Sequence, residues 1–276
     1  MILKGEENME KLNFNLCHCY HLNRVLYRTQ DDRSIFYVAF DEVENREVGI
    51  KSICVSPGEL KAVKSEALIL NNLSNICNSV PSLYQTYYDK KNKRFYLIMQ
   101  LINGRTLEEK MVNRLSIDEC VNTMIKLCDA IAPLHQQGYQ HRDLKPANIM
   151  MNNRGDLYII DFNLTPRLPF KGEGTEYYRA PEQSENVRGV PTKDNVDVFA
   201  IGSIFYEMVT KEKPNWIPYK KGPSAGYSKF VSPVEVSPTI PSKVNDLIIK
   251  CMDIDPQKRP PVGKLKSELK SLKRFL

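Results

Sequence analysis

Hydrophobic and polar residues follow two different periods along this chain. Between residues 15 and 100 they alternate in short runs, as at positions 34–39 and 94–99, and such alternation predicts strands of a mostly antiparallel sheet. One helical pattern interrupts these strands. Ser56, Pro57 and Glu59 would give that helix an N-cap, a first-turn proline and the partner of a capping box.

After residue 115 the apolar positions recur with a helical period. Ser116 and Glu119 form another capping box, and one apolar stripe follows, made of Ile117, Val121, Met124, Cys128, Ile131 and Leu134. Further helical patterns follow Val196 and Val244. We therefore predict an α+β protein, with a small antiparallel-sheet lobe at about residues 10–101, a larger, mainly helical lobe at residues 105–276, and a cleft around residue 102.

The chemistry of the chain is concentrated at residues 141–148, which read HRDLKPAN, and at Asp161, which ends the next apolar strand. Phosphoryl transfer requires positioning and charge neutralisation more than covalent chemistry. Asp143 would orient an attacking hydroxyl and accept its proton, while Lys145 would stabilise charge on the transferred group. Asn148 and Asp161 offer the oxygen ligands that magnesium prefers. These residues predict a phosphoryl-transfer site.

Residues 141–148 resemble the catalytic loop of eukaryotic-type protein kinases, and Lys145 stands where their serine/threonine branch carries lysine. Similar motifs occur in family order over nearly the whole chain: the lysine strand at 48–51, the gatekeeper and hinge at 98–104, the metal motif at 161–163, the end of the activation segment at 174–182, the buried large-lobe helix at 197–202 and the arginine motif at 255–260. The resemblance implies a two-lobed protein-kinase-like fold, forming a single domain over residues 1–276 with a hinge at about residues 100–104. It implies a serine/threonine kinase that transfers the γ-phosphate of MgATP to protein hydroxyls, with Mn2+ as an alternative to Mg2+.

The resemblance also implies roles for individual residues. In the nucleotide site Lys51 would pair with Glu66 and Met99 would be the gatekeeper; the remaining nucleotide-binding residues would be Gln100, Leu101, Ile102 and Met150. In the activation segment Thr175 would contact the catalytic residues, and Arg142 would bind an anion that Glu173 or Glu176 could supply. The structural residues would be Glu182 with its partner Arg259, and Asp197 of the buried helix.

Two positions depart from the family pattern. Residues 29–34, where the family has its glycine-rich phosphate loop, contain no glycine and include two aspartates, and Asn163 replaces the glycine that follows Asp-Phe. Glycines allow backbone N–H groups to approach phosphates closely, so their absence predicts weak affinity for ATP.

Two other classes of function stay open on the sequence. The missing glycines favour a pseudokinase that serves as a protein-binding scaffold. Small-molecule kinases of the aminoglycoside or choline type share an Asp and Asn loop, but they lack the segment at 174–182, which in protein kinases docks a polypeptide. The compact length and the unusual phosphate loop also resemble kinases of large DNA viruses, such as the baculovirus late protein kinases.

Composition narrows the class of protein. Charged residues make up 26% and hydrophobic ones 42%, the formal net charge is +6, and the apolar stretches are too short to cross a bilayer. We expect protein substrates that carry serine or threonine, with neither nucleic acid nor membrane as a direct partner, and the sequence makes no prediction of oligomeric state. The charged N-terminus does not resemble a signal peptide, and the length suggests a catalytic domain without a regulatory module.

Seven cysteines occur, and their odd number predicts reduced thiols rather than a disulfide framework. We therefore expect an intracellular protein of the cytoplasm or nucleus, in a host cell if it is viral. The run Cys17-His18-Cys19-Tyr20-His21 could suggest a metal site, but a distant second pair of ligands is missing from the sequence. A strand is the favoured interpretation of this run.

Overall fold

The structure, a computed structural model, describes residues 11–13, 19–162, 174–183, 195–214, 216–219 and 226–275. These residues belong to two compact units, Met1–Asn103 and Gly104–Leu276. The first unit is built on an antiparallel sheet with one helix, and the second is mainly helical. The predicted α+β class is confirmed.

The sheet of the first unit has six antiparallel strands in the order β1-β2-β3-β4-β6-β5. The strands are β1 (Lys11–Asn13), β2 (Cys19–Arg28), β3 (Ser34–Asp41), β4 (Arg46–Cys54), β5 (Leu83–Asp89) and β6 (Arg94–Gln100). One face buries a cluster that includes Tyr20 and Ile50, and a second cluster, which includes Phe95 and Leu97, contains residues of the helix. Burial on both faces explains why runs such as residues 94–99 are apolar at almost every position.

The helix of this unit, α1 (Leu60–Ile76), begins later than the sequence pattern predicted. Its N-cap is Glu59 rather than Ser56, so the predicted start at Pro57 is wrong. The Ser56 N–H donates to Glu59 Oε2 (2.9 Å) and the Glu59 N–H to the Ser56 carbonyl (3.0 Å), which closes a separate turn before the helix. Gly58 lies within this turn, and its low helix propensity favours a start beyond it.

The second unit holds the remaining elements. They are β7 (Gly104–Thr106), α2 (Leu107–Met111), α3 (Ile117–Gln136), β8 (Ile149–Asn152), β9 (Leu157–Ile159), α4 (Val196–Thr210), β10 (Trp216–Tyr219), β11 (Gly226–Phe230), α5 (Pro233–Val236), α6 (Ser242–Cys251) and α7 (Val262–Lys273). The capping box of Ser116 and Glu119 is present, and the predicted stripe of α3 is buried from Val121 to Leu134. Helix α4 buries nearly its whole circumference, which marks it as the centre of this unit's core.

Within the described ranges, none of the helices combines the length and the apolar character that crossing a membrane requires.

Candidate active site

The loop that follows α3 is held by a buried carboxylate of α4. Asp197, with no exposed surface, accepts hydrogen bonds from the backbone N–H groups of His141 and Arg142 (2.8 Å each) and from His135 Nε2 (2.7 Å). Burial by itself would raise the pKa of Asp197. The hydrogen bond from His135, the attraction of the two histidines and the Arg142 N–H outweigh burial and lower that pKa. Asp197 thus fixes the backbone that precedes the predicted catalytic residues Asp143 and Lys145.

This fixation holds an unfavourable backbone conformation. Arg142 has φ of 66°, in the left-handed region, where a residue with a side chain loses about 1–2 kcal/mol. Gln183 supports the same peptide, because its Nε2 donates to the Arg142 carbonyl (2.8 Å) while its Oε1 accepts the Ala180 N–H (2.8 Å). The strained turn therefore persists because neighbouring elements over-determine it.

Three of the predicted site residues form a close triangle. Thr175 Oγ1 donates to Asp143 Oδ1 at 2.6 Å, and Lys145 Nζ lies 3.1 Å from Thr175 Oγ1 and 3.3 Å from Asp143 Oδ2. Both charged side chains are mostly buried, with 27% of Lys145 and 18% of Asp143 exposed. The arrangement places an oriented carboxylate, which can accept a proton from a hydroxyl nucleophile, beside a cation, which can stabilise the charge of a group being transferred.

Asn148 lies against this triangle. It closes a short 3₁₀ turn, Pro146–Asn148, and its Nδ2 donates to the Asp143 carbonyl at 2.9 Å and to Asp143 Oδ2 at 3.5 Å. Because the amide nitrogen is used in this way, Oδ1 is the atom that Asn148 can offer to a metal ion.

The pairing of β8 with β9 places Asp161 near Asn148. The Ile160 N–H donates to the Asn148 carbonyl at 2.9 Å, and Asp161 follows Ile160 with φ of 66°. A carboxylate and a carboxamide oxygen form a donor set that fits a hard divalent cation such as Mg2+. Asn163 lies outside the described residues.

His141 connects the loop at residues 141–148 with the end of β9, a role that the sequence did not predict. Its buried ring accepts the Asp143 N–H at Nδ1 (3.3 Å) and donates from Nε2 to the Ile160 carbonyl (3.0 Å). The ring also contacts Phe162 edge-on, with centroids 4.9 Å apart. His135 and Gln183 were missed as well, because no local pattern distinguishes them from ordinary helix-end and loop residues.

The predicted pair of Glu182 and Arg259 is present and buried. Arg259 Nη1 and Nη2 donate to the two carboxylate oxygens at 2.5 and 2.9 Å, with 0% of the arginine and 2% of the glutamate side chain exposed. Arg259 Nε also donates to the Asp253 carbonyl (2.8 Å). This bidentate pair anchors the turn Pro181–Gln183 in the core.

The segment before this turn requires a glycine. Gly174 has φ of +83°, and a Cβ there would lie 3.1 Å from the Arg142 carbonyl. Glu173, predicted as an anion for Arg142, lies outside the described residues, and Glu176 is exposed. The choice of anion stays a prediction.

Two predicted nucleotide-site residues of the first unit are Lys51, on β4, and Glu66, on α1. Lys51 is opposite Leu97 in the β4 and β6 register and two residues from Ile53. Both neighbours pack with the cluster that contains α1, so Lys51 lies on the helix side of the sheet. Glu66 is half-buried and lies three residues after Val63 of the same cluster. The placement favours the pairing of Lys51 with Glu66, which stays a prediction.

The other predicted nucleotide residues are partly buried. Met99 packs against the α1 cluster, and the Gln100 N–H donates to the Ser82 carbonyl (2.8 Å) at the end of β6. Leu101 and Ile102 follow that strand, and Met150 lies on β8 in the second unit.

The loop at residues 29–34 forms a tight hairpin turn that uses its own amides. The Thr29 N–H donates to the Ser34 carbonyl and the Ser34 N–H to Thr29 Oγ1, both at 3.0 Å. The Asp32 N–H donates to the Thr29 carbonyl (3.0 Å) and the Arg33 N–H to Asp31 Oδ1 (3.2 Å). Four backbone donors are thus engaged within the loop, where the family's glycine-rich loop would direct such groups at phosphates.

Two side chains outside the loop hold this turn, Arg94 of β6 and Glu59, the N-cap residue of α1. Both terminal nitrogens of Arg94 donate to the Asp32 carbonyl (3.3 Å each), and Arg33 Nη2 donates to Glu59 Oε1 (2.6 Å). Asp31 and Asp32 are exposed, as expected if their charges point away from a bound nucleotide.

Comparison with known proteins agrees with this geometry. The family model described as protein kinase domain matches residues 33–269. A probable serine/threonine-protein kinase of Clostridium perfringens is 30% identical over 211 residues, which cover 72% of this chain and 30% of that protein. The serine/threonine-protein kinase PrkC of Bacillus subtilis is 27% identical over 240 residues, covering 80% of this chain and 35% of PrkC. This chain spans about a third of the length of these curated relatives. The resemblance to viral kinases stays a prediction.

Proposed function

This chain belongs to the protein kinase family, and from that membership we propose that it is a serine/threonine protein kinase, which transfers the γ-phosphate of ATP to hydroxyl groups of protein substrates. The observation that carries the proposal is the contact of Thr175 with Asp143 and Lys145. PrkC of Bacillus subtilis is a serine/threonine-protein kinase and the Clostridium perfringens relative is a probable one, in line with a lysine at position 145.

Asp143 is the proposed base. Thr175 and Lys145 orient its carboxylate, which retains lone pairs to accept the proton of an incoming serine or threonine hydroxyl as the oxygen attacks phosphorus. Lys145 offers a positive charge within 3.3 Å of the carboxylate, where it can also stabilise the transferred group. Thr175 is a positioning residue, because its hydroxyl contacts both charged groups.

The family uses ATP with a divalent metal, and Mg2+ is the ion we propose here, with Mn2+ as an alternative. Asn148 Oδ1 and the Asp161 carboxylate would hold it. When bound, the ion neutralises phosphate charge. Asn148 additionally holds the Asp143 backbone through its Nδ2, so it links metal binding to the position of the base.

Lys51 is the proposed phosphate-binding cation, with Glu66 as its partner. The self-contained hairpin at residues 29–34 supports weak nucleotide affinity, because its engaged amides cannot turn toward phosphates without breaking their present hydrogen bonds. We expect a dissociation constant for MgATP above about 1 μM, which corresponds to a binding free energy weaker than about −8 kcal/mol. A sub-micromolar constant measured by calorimetry would contradict this expectation.

Transfer of labelled γ-phosphate from MgATP to a generic basic protein tests the proposal. Asp143→Ala should abolish transfer, while the matched control Asp118→Ala, an exposed aspartate in the first turn of α3, should retain it. Absence of transfer by the wild-type protein at millimolar ATP, with both Mg2+ and Mn2+ tried, would overturn the proposal in favour of a scaffold. Equal transfer by wild type and Asp143→Ala would reject Asp143 as the base.

A further inference from the structure

We propose that Cys19, His21 and Glu42 form a binding site for Zn2+ at one end of the first unit's sheet. Their potential ligand atoms, a thiol sulfur, an imidazole nitrogen and a carboxylate oxygen, all lie within 4.8 Å of one another. None of the three belongs to the proposed catalytic or nucleotide-binding residues, so the inference does not depend on the proposed function.

The strand pairing brings the three residues together. Cys19 and His21 are two residues apart on β2, so their side chains share one face, while Tyr20 between them is buried in the core on the other face. Glu42 follows the last residue of β3, and its N–H donates to the Cys19 carbonyl at 3.2 Å. The sequence alone shows two of these ligands, and only the pairing of β2 with β3 supplies the third.

The chemistry of the donors favours zinc over the other common divalent ions. Thiolate and imidazole are ligands of Zn2+, whereas Mg2+ and Ca2+ prefer oxygen alone. Three protein ligands leave a fourth tetrahedral position for water. Zinc bond lengths place ligand atoms roughly 3.3–3.6 Å apart. The hydrogen-bonded atoms of His21 and Glu42 would therefore have to separate, and side-chain rotations would bring the three ligand atoms to this spacing.

The side chains are accessible to an ion. His21 is 39% and Glu42 44% exposed, and His21 Nε2 is already hydrogen-bonded to Glu42 Oε1. The contact of His21 with Glu42 could instead be a simple surface ion pair. An ion pair would not require a cysteine, whereas a zinc site uses Cys19 as its third ligand. A bound ion would replace that hydrogen bond and would link the start of β2 to the end of β3.

Zinc binding to the metal-free, reduced full chain tests the proposal, with ZnCl2 competed against a chromophoric chelator and Co2+ absorption as a second readout. We expect Cys19→Ser, His21→Ala and Glu42→Gln each to weaken zinc binding at least tenfold, and Cys19→Ser to remove the thiolate-to-cobalt charge-transfer band. The matched controls Cys54→Ser and Glu44→Gln, a partly exposed thiol and a nearby carboxylate outside the cluster, should bind zinc as the wild type does. Zinc should also raise the melting temperature of the wild type and of both controls, but not of the three variants.

Several results would overturn the proposed zinc site. No wild-type binding at 100-fold excess of zinc over protein, or binding unchanged in all three variants, would overturn the site. Cys17 and His18, which lie outside the described residues, offer an alternative pair of ligands. Loss of binding in Cys17→Ser or His18→Ala, with binding retained in His21→Ala and Glu42→Gln, would also reject the proposal. Because Glu42 is exposed, Glu42→Gln should stay folded and keep the test valid even if Cys19→Ser unfolds.

Discussion

Breaking the buried pair of Glu182 and Arg259 should destabilise the protein far more than its surface ion pairs suggest. Arg259→Met removes both donors from the Glu182 carboxylate and also the donor from the Asp253 carbonyl. An uncompensated buried charge costs about 3–5 kcal/mol, and the lost carbonyl contact about 1 kcal/mol more. Glu182→Met leaves the guanidinium buried without its carboxylate and should cost about 3 kcal/mol or more.

The double variant Arg259→Met with Glu182→Met separates the two contributions. It leaves no unpaired charge, and the neutral carbonyls that lose donors cost only about 1–3 kcal/mol together. The double variant should therefore be more stable than either single variant, with a coupling energy of about 3 kcal/mol or more.

Urea unfolding followed by circular dichroism, at pH 7 and with m-values compared, measures these free energies. Lys250→Met is the matched control, because it breaks a partly exposed pair with Glu268 (2.7 Å) in the same unit and should cost at most about 1 kcal/mol. Additive losses below about 1 kcal/mol for both single variants would refute the reasoning, since the pair would then behave as a solvated one.

Three further predictions concern the site, the hairpin and the thiols. Thr175→Val should lower kcat about fivefold, with KM for ATP unchanged, because it removes a hydrogen bond of about 1 kcal/mol to Asp143. Steady-state kinetics that show a change in KM alone would contradict this. Hydrogen bonds from Ser56 and then other partners lower the pKa of Glu59 to about 2, so its stabilising contribution is present above about pH 5 and declines as the pH falls toward 2. The difference in melting temperature between the wild type and Glu59→Gln should narrow as the pH falls from about 5 toward 2. A constant difference would argue against the hydrogen bonds of Glu59 with Ser56 and Arg33. Burial raises the pKa of Cys128 to about 12, so iodoacetamide at pH 8 should label this thiol only after unfolding, as mass spectrometry can determine.

The hairpin at residues 29–34 changes how the missing glycines are understood. If only the glycines were missing, the backbone N–H groups of the loop would still be available to phosphates, although added side chains would keep them farther away. The structure instead shows a turn that satisfies its own amides and is held by Arg94 and by Glu59 through Arg33. The weak nucleotide affinity that we propose would then arise from the engaged donors as well as from the added side chains.

The sequence by itself determined the features that depend on neighbouring residues. The short apolar run at residues 94–99 predicted a strand, and Ser116 with Glu119 predicted the start of α3, because both signals depend only on residues close together in the sequence. The chemistry of Asp143, Lys145 and Asn148 could also be predicted from the local sequence, because all three lie within six residues. The start of α1 was predicted wrongly, because Ser56 and Glu59 can close a turn without capping a helix.

Only the tertiary structure decided which distant residues support the site. Asp197 lies 55 positions after Arg142, whose N–H it accepts, and Gln183 lies 41 positions after the same residue, yet together they hold its strained backbone. Glu42 lies 21 positions after His21 and joins it through strand pairing alone. The sequence around a polar residue does not identify the distant partner with which it will form a hydrogen bond in the folded protein. Long-range hydrogen bonds and metal-ligand clusters are therefore set by how the elements pack, whereas the elements themselves are set by local pattern.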